Sequence, residues 1–274
     1  MNSDEESGRR PPADAKGGDE VRLNRFLAQC GLGSRRACDG LIGAGKISVN
    51  GCRVTKLGTR VDPAHDTVTC GGRRMKVVRR KEYLVYHKPR DTMVTRSDPR
   101  GRPTIYDRLR ERGYRCDHLR YVGRLDRDSE GLLLLTNDGD LVHGLTHPRF
   151  HIKKVYRITL DAPLGETERN ALVVSGIESR GQLLRAAEIT EVGTGERGVR
   201  SCRYEVVLYE GKNRQIRRMC EGVGRSVVRL QRIRLGSVRL GKLPRGALRA
   251  VTPRELAGLK ATGHRPGGKK GTAH

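Results

Sequence analysis

Residues 121–141 read YVGRLDRDSEGLLLLTNDGDL, and they place a dense cluster of charges directly before an apolar run. The charged side chains of this cluster include Arg124, Asp126, Asp128 and Glu130. The apolar run, Leu132–Leu135, predicts a buried strand. Catalytic groups usually lie on loops that a rigid strand holds in place. We therefore expect the functional site of the chain in this loop.

Metal chemistry is the first alternative for this loop. The spacing of Asp126, Asp128 and Glu130 is superficially similar to the start of a calcium-binding loop, but the twelfth position falls on Asn137 and not on Glu. A nuclease with two metal ions would draw acids from several strands, and the sequence offers no second acidic cluster. We therefore expect no metal, with a metal-dependent nuclease as a lesser alternative. From the residues alone, an ion pair of Arg124 with Asp126 across a turn stays open.

Outward from this loop, the pattern predicts a larger domain that begins near Tyr83. The predicted strands are Tyr83–Tyr86, Leu132–Thr136, Val155–Leu160 and Arg203–Leu208, and the predicted helices are Ile105–Arg110, Glu168–Val174 and Asn213–Glu221. Thr252 to Glu255 form a capping box, with proline at the first helical position of a last helix. Because no regular strand–helix–strand period is present, the pattern favours an α+β fold with a mixed sheet.

A small separate module is predicted upstream of this domain. Apolar side chains recur at helical spacing from Leu23 to Leu27. Ser34 is a suitable N-cap for a second helix, in which Ala37 and Leu41 would face inward. KISVNGCRV then alternates around Asn50-Gly51, which is a strong signal for a β-hairpin.

Arg35 and Arg36 lie in the first turn of this predicted second helix. The helix macrodipole disfavours cations there, and a bound phosphate would reverse that effect. The two arginines are therefore candidate phosphate contacts, and the alternative is a solvated surface turn.

Composition limits the class of protein. The chain has 274 residues, enough for one or two domains, and a formal charge of +25 that favours a polyanionic partner. Seven cysteines without a CxxC pair indicate reduced thiols. The longest apolar run is far too short for a membrane span, and the first residues lack the apolar core of a signal peptide. We expect a cytoplasmic protein with no membrane partner.

The predicted organisation has four parts. Residues 1–20, rich in Gly, Pro and charge, predict a disordered head. Residues 21–80 hold the small module and a basic linker or edge strand, GRRMKVVRRKE at 72–82. Residues 81–258 form the larger domain, and 259–274 a basic flexible tail.

Two resemblances are specific. RLNRFLAQCG, GSRRA and KISVNG resemble the S4 RNA-binding domain, a small αL-like fold. The loop GRLDRDSEGLLLLTNDGDL resembles the signature of RsuA/RluB-type ribosomal RNA pseudouridine synthases, which also carry an N-terminal S4 domain. YLVYHKP (83–89), HPRFHIKKVYRITL (147–160) and EGKNRQIRRMCEGVG (210–224) agree with that family and follow its order. The departures are Ser129, where the family usually has Thr, and Asp91, where Gly is common.

The resemblance implies isomerisation of a chosen uridine to pseudouridine without a cofactor. It makes Asp126 the essential carboxylate, Arg217 its guanidinium partner and Tyr156 the ring that stacks on the target uracil. From the residues alone, Arg217 would instead pair with Glu221, and Tyr156 would be a core tyrosine. The predicted RNA contacts are Arg22, Asn24, Arg25, Ser34, Arg35, Arg36, Lys46 and Asn50 in the S4 module, and Arg124, Lys212, Arg214 and Arg218 in the larger domain.

The expected partner is ribosomal RNA or a pre-ribosomal particle, and we expect a monomer. GKNRQIRRM and the segment LGKLPRGALRAVTPRE look closer to the large-subunit branch of the family, which favours 23S over 16S RNA. A non-catalytic RNA-binding factor of ribosome assembly is the alternative. The presence of Asp126, Tyr156 and Arg217 argues against it, since an inactive relative could lose any of them.

Overall fold

A computed structural model describes residues 20–77, 80–193 and 201–263. The chain divides into two compact units, residues 1–79 and 80–274. All but the last residue of the predicted head lies outside the described residues. In the part of the chain that the structure describes, no helix combines the length and the apolar character that crossing a membrane requires.

The first unit packs two short helices against small strands. Its elements are β1 (Val21–Arg22), α1 (Leu23–Gln29), α2 (Arg35–Gly43), β2 (Ile47–Val49), β3 (Cys52–Val54), β4 (Arg60–Val61), β5 (Val68–Cys70) and β6 (Arg73–Arg74). The amide of Ala37 donates to Ser34 Oγ, which confirms the predicted N-cap of α2. The predicted inward face is wrong at Ala37, which is exposed, but Leu41 packs half-buried against the core; the buried residues of α2 are Cys38 and Ile42.

The predicted hairpin of the first unit is confirmed. β2 and β3 pair antiparallel, and both turn residues have positive φ, 51° at Asn50 and 84° at Gly51, as a type I′ turn requires. β6 is an edge strand on β5, so part of the basic linker has the predicted strand form.

The second unit contains the larger sheet. Its strands are β7 (Tyr83–Lys88), β8 (Arg120–Val122), β9 (Glu130–Thr136), β10 (Lys154–Leu160), β11 (Ile177–Ser179), β12 (Gln182–Leu184), β13 (Glu188–Glu191), β14 (Arg203–Leu208), β15 (Val227–Leu235), β16 (Val238–Arg239) and β17 (Leu248–Ala250). Its helices are α3 (Ile105–Glu111), α4 (Gly139–Thr146), α5 (Glu166–Asn170), α6 (Gln215–Glu221) and α7 (Pro253–Gly263), with a 3₁₀ turn at Pro148–Phe150 and a π-helical turn at Ala171–Ser175.

Nine strands form one mixed sheet in the order β13-β14-β10-β15-β9-β7-β17, with β8 on β9 and β16 on β15. β15 runs parallel to β9, and the other pairs are antiparallel. Alternate side chains point to opposite faces. We call the face that carries Tyr156 and Leu208 the front face, and the face that carries Arg157 and Val207 the back face. On the back face, Leu141 of α4 and Leu259 of α7 share a core with β7 and β9.

The last helix corrects the prediction of a tail from residue 259. α7 continues through Gly263, and its Leu259 is fully buried. The predicted capping box is confirmed, because Thr252 N donates to Glu255 Oε2 and Glu255 N donates to Thr252 Oγ1.

Candidate active site

A cleft of about 480 Å³ opens on the front face of the sheet. Its apolar wall comes from four elements and one loop: Tyr156 of β10, Leu208 of β14, Leu230 of β15, Ile216 of α6, and Leu125. Asp126 lines the cleft from the loop between β8 and β9, and Arg217 lines it from α6. The structure therefore brings together the three residues that the sequence singled out, although 91 positions separate Asp126 from Arg217.

The loop that carries Asp126 is tied down by Lys88 at the end of β7. Its ammonium donates to the carbonyl oxygens of Ser129 (2.7 Å), Pro89 (3.0 Å) and Arg127 (3.3 Å). Lys88 is fully buried. Burial lowers the pKa of Lys88 to about 8, although the Asp128 and Asp126 carboxylates favour its charged form. In the sequence, the only signal for Lys88 was its place in the motif YLVYHKP.

We expect Lys88→Met to loosen this loop. Three carbonyl oxygens lose their donor, and each unsatisfied buried group costs about 1–3 kcal/mol. Pseudouridine formation should fall by about tenfold to a hundredfold because misplacing a catalytic group is costly. RNA affinity should stay unchanged. Wild-type affinity with wild-type rate would contradict the role of Lys88.

The stability difference between wild type and Lys88→Met should also depend on pH. The folded protein releases the Lys88 proton near pH 8, whereas an unfolded lysine keeps it to about pH 10.4. Unfolding therefore takes up a proton between these values, so the wild type gains stability relative to the variant as the pH rises from 8 to 10. Urea unfolding of both proteins at pH 7, 8, 9 and 10 measures this slope. A constant difference would refute it.

Glu130 is unavailable as a catalytic acid. Its carboxylate is 1% exposed and forms ion pairs with Arg229 Nε (2.5 Å) and Arg245 Nε (3.0 Å). These contacts fix the start of β9 directly after the candidate loop.

Arg217 is held rigidly, but by a partner other than the expected one. Its Nη1 donates to the Val227 carbonyl (2.8 Å), and its Nη2 lies 3.0 Å from Asp128 Oδ2. Arg214 also reaches Asp128, at 3.4 Å. Among the described residues, the Asp126 carboxylate forms no ion pair. The expected pair of Arg217 with Asp126 is therefore wrong, as are the alternatives of Arg217 with Glu221 and Arg124 with Asp126.

The remaining predicted contacts of the larger domain differ in availability. Arg124 is exposed and lines the cleft. Lys212 lines it too, although its ammonium donates to the Leu183 carbonyl. Arg218 is buried, and its guanidinium donates to Ser179 and Gln182 of the β11–β12 hairpin. Its predicted contact with the RNA backbone is therefore wrong, because the Arg218 guanidinium holds this hairpin to α6 and is not exposed to RNA.

The predicted contacts of the S4 module all fall in the first unit. Arg22, Arg35, Arg36 and Lys46 are exposed, and Arg25 is half-buried. Ser34 uses its hydroxyl for the helix cap. The amides of Asn24 and Asn50 donate to Asp39 and Asp66 within the unit. RNA contact by these residues stays a prediction.

The chain has several relatives among known proteins. A family model described as RNA pseudouridylate synthase matches residues 82–222, and an S4 domain model matches residues 21–68. An uncharacterised RNA pseudouridine synthase of Mycobacterium bovis is 38% identical over 87% of this chain and 92% of its own length.

Two further proteins are similar to this chain, one in sequence and one in structure. A ribosomal large subunit pseudouridine synthase B of Vibrio vulnificus is 39% identical over 82% of this chain and 70% of its own length. A crystal structure of a pseudouridylate synthase superimposes with a TM-score of 0.60 at 28% identity, covering 87% of this chain and 99% of that one. The chain therefore belongs to the RNA pseudouridylate synthase family, and it is an RNA pseudouridine synthase of the RsuA/RluB type with an N-terminal S4 domain.

Proposed function

We propose that this enzyme isomerises a uridine of 23S ribosomal RNA, with Asp126 as the essential carboxylate. The observation that carries the proposal is the front-face cleft, where Asp126, Tyr156 and Arg217 line one cavity. The similarity to a ribosomal large subunit pseudouridine synthase B supports the choice of 23S RNA.

In the proposed reaction, the N1–C1′ bond of the uridine breaks, the uracil rotates, and a C5–C1′ bond forms. The C5 proton leaves to water and N1 gains a proton, so atoms and charge balance without a cofactor. Cleavage develops positive charge on the sugar, which an ionised carboxylate can stabilise or trap. Asp126 fills that role whether it attacks the sugar, attacks the base or takes a sugar proton.

Several cationic side chains share the cleft with Asp126. A carboxylate that bound RNA desolvates would tend to take up a proton unless positive charge lies nearby. The same cleft is lined by the cationic side chains Arg124, Arg127, Lys212, Arg214 and Arg217. Coulomb interactions persist over several ångströms in a water-poor site, so Arg217 needs no direct contact with Asp126 to act on charge that develops in the cleft.

The ring of Tyr156 is the proposed stacking partner of the target uracil, and its hydroxyl the proposed group in removal of the C5 proton. The side chain is 8% exposed, so β10 and its neighbours fix its position in the cleft. We expect Tyr156→Phe to keep RNA affinity and to slow product formation by about 10²–10⁴-fold, the usual contribution of general acid–base catalysis. Single-turnover kinetics measures this, and a wild-type rate would remove the hydroxyl from the mechanism.

A uridine inside folded RNA has to be extruded before its glycosidic bond is accessible, at a cost of a few kcal/mol. Contacts to the RNA backbone outside the cleft supply that energy. The net charge of +25 and the exposed arginines of the S4 module provide such contacts.

The choice of RNA is tested by supplying 23S and 16S transcripts and isolated large-subunit precursor particles separately, in the presence of EDTA. Pseudouridine is then mapped by nucleoside mass spectrometry of RNase fragments. We expect product in a fragment of 23S RNA, as transcript or particle. Product in 16S RNA alone would overturn the assignment to the large subunit.

A further inference from the structure

A second cavity, of about 470 Å³, lies on the back face of the sheet. Val155 and Arg157 of β10 and Val207 of β14 line it, whereas Tyr156 and Leu208 line the catalytic cleft. Because alternate residues of a strand point to opposite faces, the two cavities are separated by the thickness of the sheet. We call this second cavity the back-face groove.

One end of the back-face groove carries a cluster of cations. Lys153, Arg234 and Arg239 line this end, and Arg234 is the direct cross-strand partner of Arg239. Side chains in that position lie about 5 Å apart at Cβ, and like charges there are destabilising. Within the described residues, none of the three forms an ion pair with a carboxylate. A bound anion would relieve this repulsion.

The rest of the back-face groove differs from this end. Its apolar floor consists of Val155, Val207, Ile233 and Leu240. Arg157 is neutralised by Glu205, at 2.7 Å. Gln231, Thr190 and the Glu188 carboxylate, which accepts a hydrogen bond from the Thr190 hydroxyl, add polar groups that can meet the edge of a base. The groove thus joins an anion-binding end to an apolar floor of the size that one nucleotide needs.

We propose that the back-face groove binds a nucleotide of the substrate RNA outside the target uridine, with a phosphate on Lys153, Arg234 and Arg239 and the base over the apolar floor. The inference rests on the RNA substrate of the proposed function. RNA is favoured over an acidic protein because an RNA held in the cleft reaches the groove at high effective concentration. A ribosomal RNA long enough to pass around the edge of the sheet would contact both faces.

The test compares single charge removals within the same groove. Arg234→Gln and Arg239→Gln remove the unpaired cations, and Arg157→Gln removes a paired one. Filter binding measures the dissociation constant of full-length protein for a 23S transcript over a series of KCl concentrations. The slope of log K against log[salt] is negative, and each lost phosphate contact should reduce its magnitude by about 0.7–0.9. Unfolding midpoints confirm that the variants are folded.

We expect Arg234→Gln and Arg239→Gln each to weaken RNA binding by about fivefold to tenfold and to lower the salt slope, with a much smaller change for Arg157→Gln. Equal effects of all three variants would indicate only the overall field of the protein and would overturn the proposal. Unchanged RNA binding by both variants would also overturn it. If thermal stabilisation by inorganic phosphate were lost at the same time, the groove would be a small-anion site. Product formation by the wild type is measured separately, so failure of the proposed function is distinguishable.

Discussion

Asp126→Asn is expected to abolish pseudouridine formation, with a loss of at least about 10⁴-fold in single-turnover rate, because a nucleophilic or charge-stabilising carboxylate has no substitute in the cleft. The variant should fold normally and bind RNA with wild-type affinity. Asparagine has nearly the same shape, and within the described residues the Asp126 side chain makes no hydrogen bond or ion pair whose loss would destabilise the protein.

Asp128→Asn is the matched control for this experiment. It lies two residues away in the same loop and removes the same charge, yet its carboxylate serves to hold Arg217 and Arg214. We expect the single-turnover rate of Asp128→Asn to fall by about tenfold, the scale of one charge-assisted hydrogen bond. If Asp128→Asn were inactive and Asp126→Asn active, the roles assigned to the two acids would be reversed.

Gly131→Ala is expected to prevent stable folding of the second unit. Gly131 has φ of +108°, and a Cβ there would lie 2.3 Å from the Arg232 carbonyl oxygen and 2.7 Å from its nitrogen. Both atoms belong to the backbone of β15, which pairs with β9 at this point, so neither can move without breaking the sheet. We expect a loss of at least about 3–5 kcal/mol in the free energy of unfolding, measured with urea.

Gly139→Ala is the control for this substitution. Gly139 begins α4, and a Cβ there would meet its nearest neighbour at an ordinary 4.0 Å. Its stability should change by less than about 1 kcal/mol. If Gly131→Ala were equally well tolerated, β9 and β15 would not pair in the register described.

The sequence was informative where local pattern and structure coincide. The apolar run after the charged loop is β9, the predicted strand Val155–Leu160 is β10, and the predicted helix Asn213–Glu221 contains α6. The positive φ of Asp91, 56°, explains why glycine is common at that position in the family. Ser129 is fully buried, and its hydroxyl has no hydrogen-bond partner among the described residues.

β15 is the main element that the sequence pattern does not predict. Its sequence, VVRLQRIRL, contains three arginines, which obscure the apolar alternation of a central strand. Arg229 pairs with Glu130, and Arg232 donates to the Leu132 carbonyl. Both partners lie about a hundred residues away in sequence. Such pairings come from the parallel contact of β9 with β15, and no local pattern encodes them.

The contacts of the charged residues in the site also depend on residues that are distant in sequence. Arg218 is predicted as an RNA contact and Lys88 is given no role, because nothing near them in sequence indicates burial, yet the fold surrounds both with carbonyl oxygens. The partner of Arg217 likewise depended on which acid of the loop faces α6. The sequence motifs predicted which residues line the cleft. Only the tertiary structure shows which partner each charged side chain contacts.

The most direct test of the account is release of tritium from 23S transcripts labelled at C5 of uridine, incubated with the wild-type enzyme in EDTA. C5 becomes the new glycosidic carbon, so each pseudouridine formed must release one C5 hydrogen to water. We predict release that reaches a plateau at a whole number of sites per transcript. No release from 23S transcripts or large-subunit precursors, under conditions where the RNA binds, would contradict it.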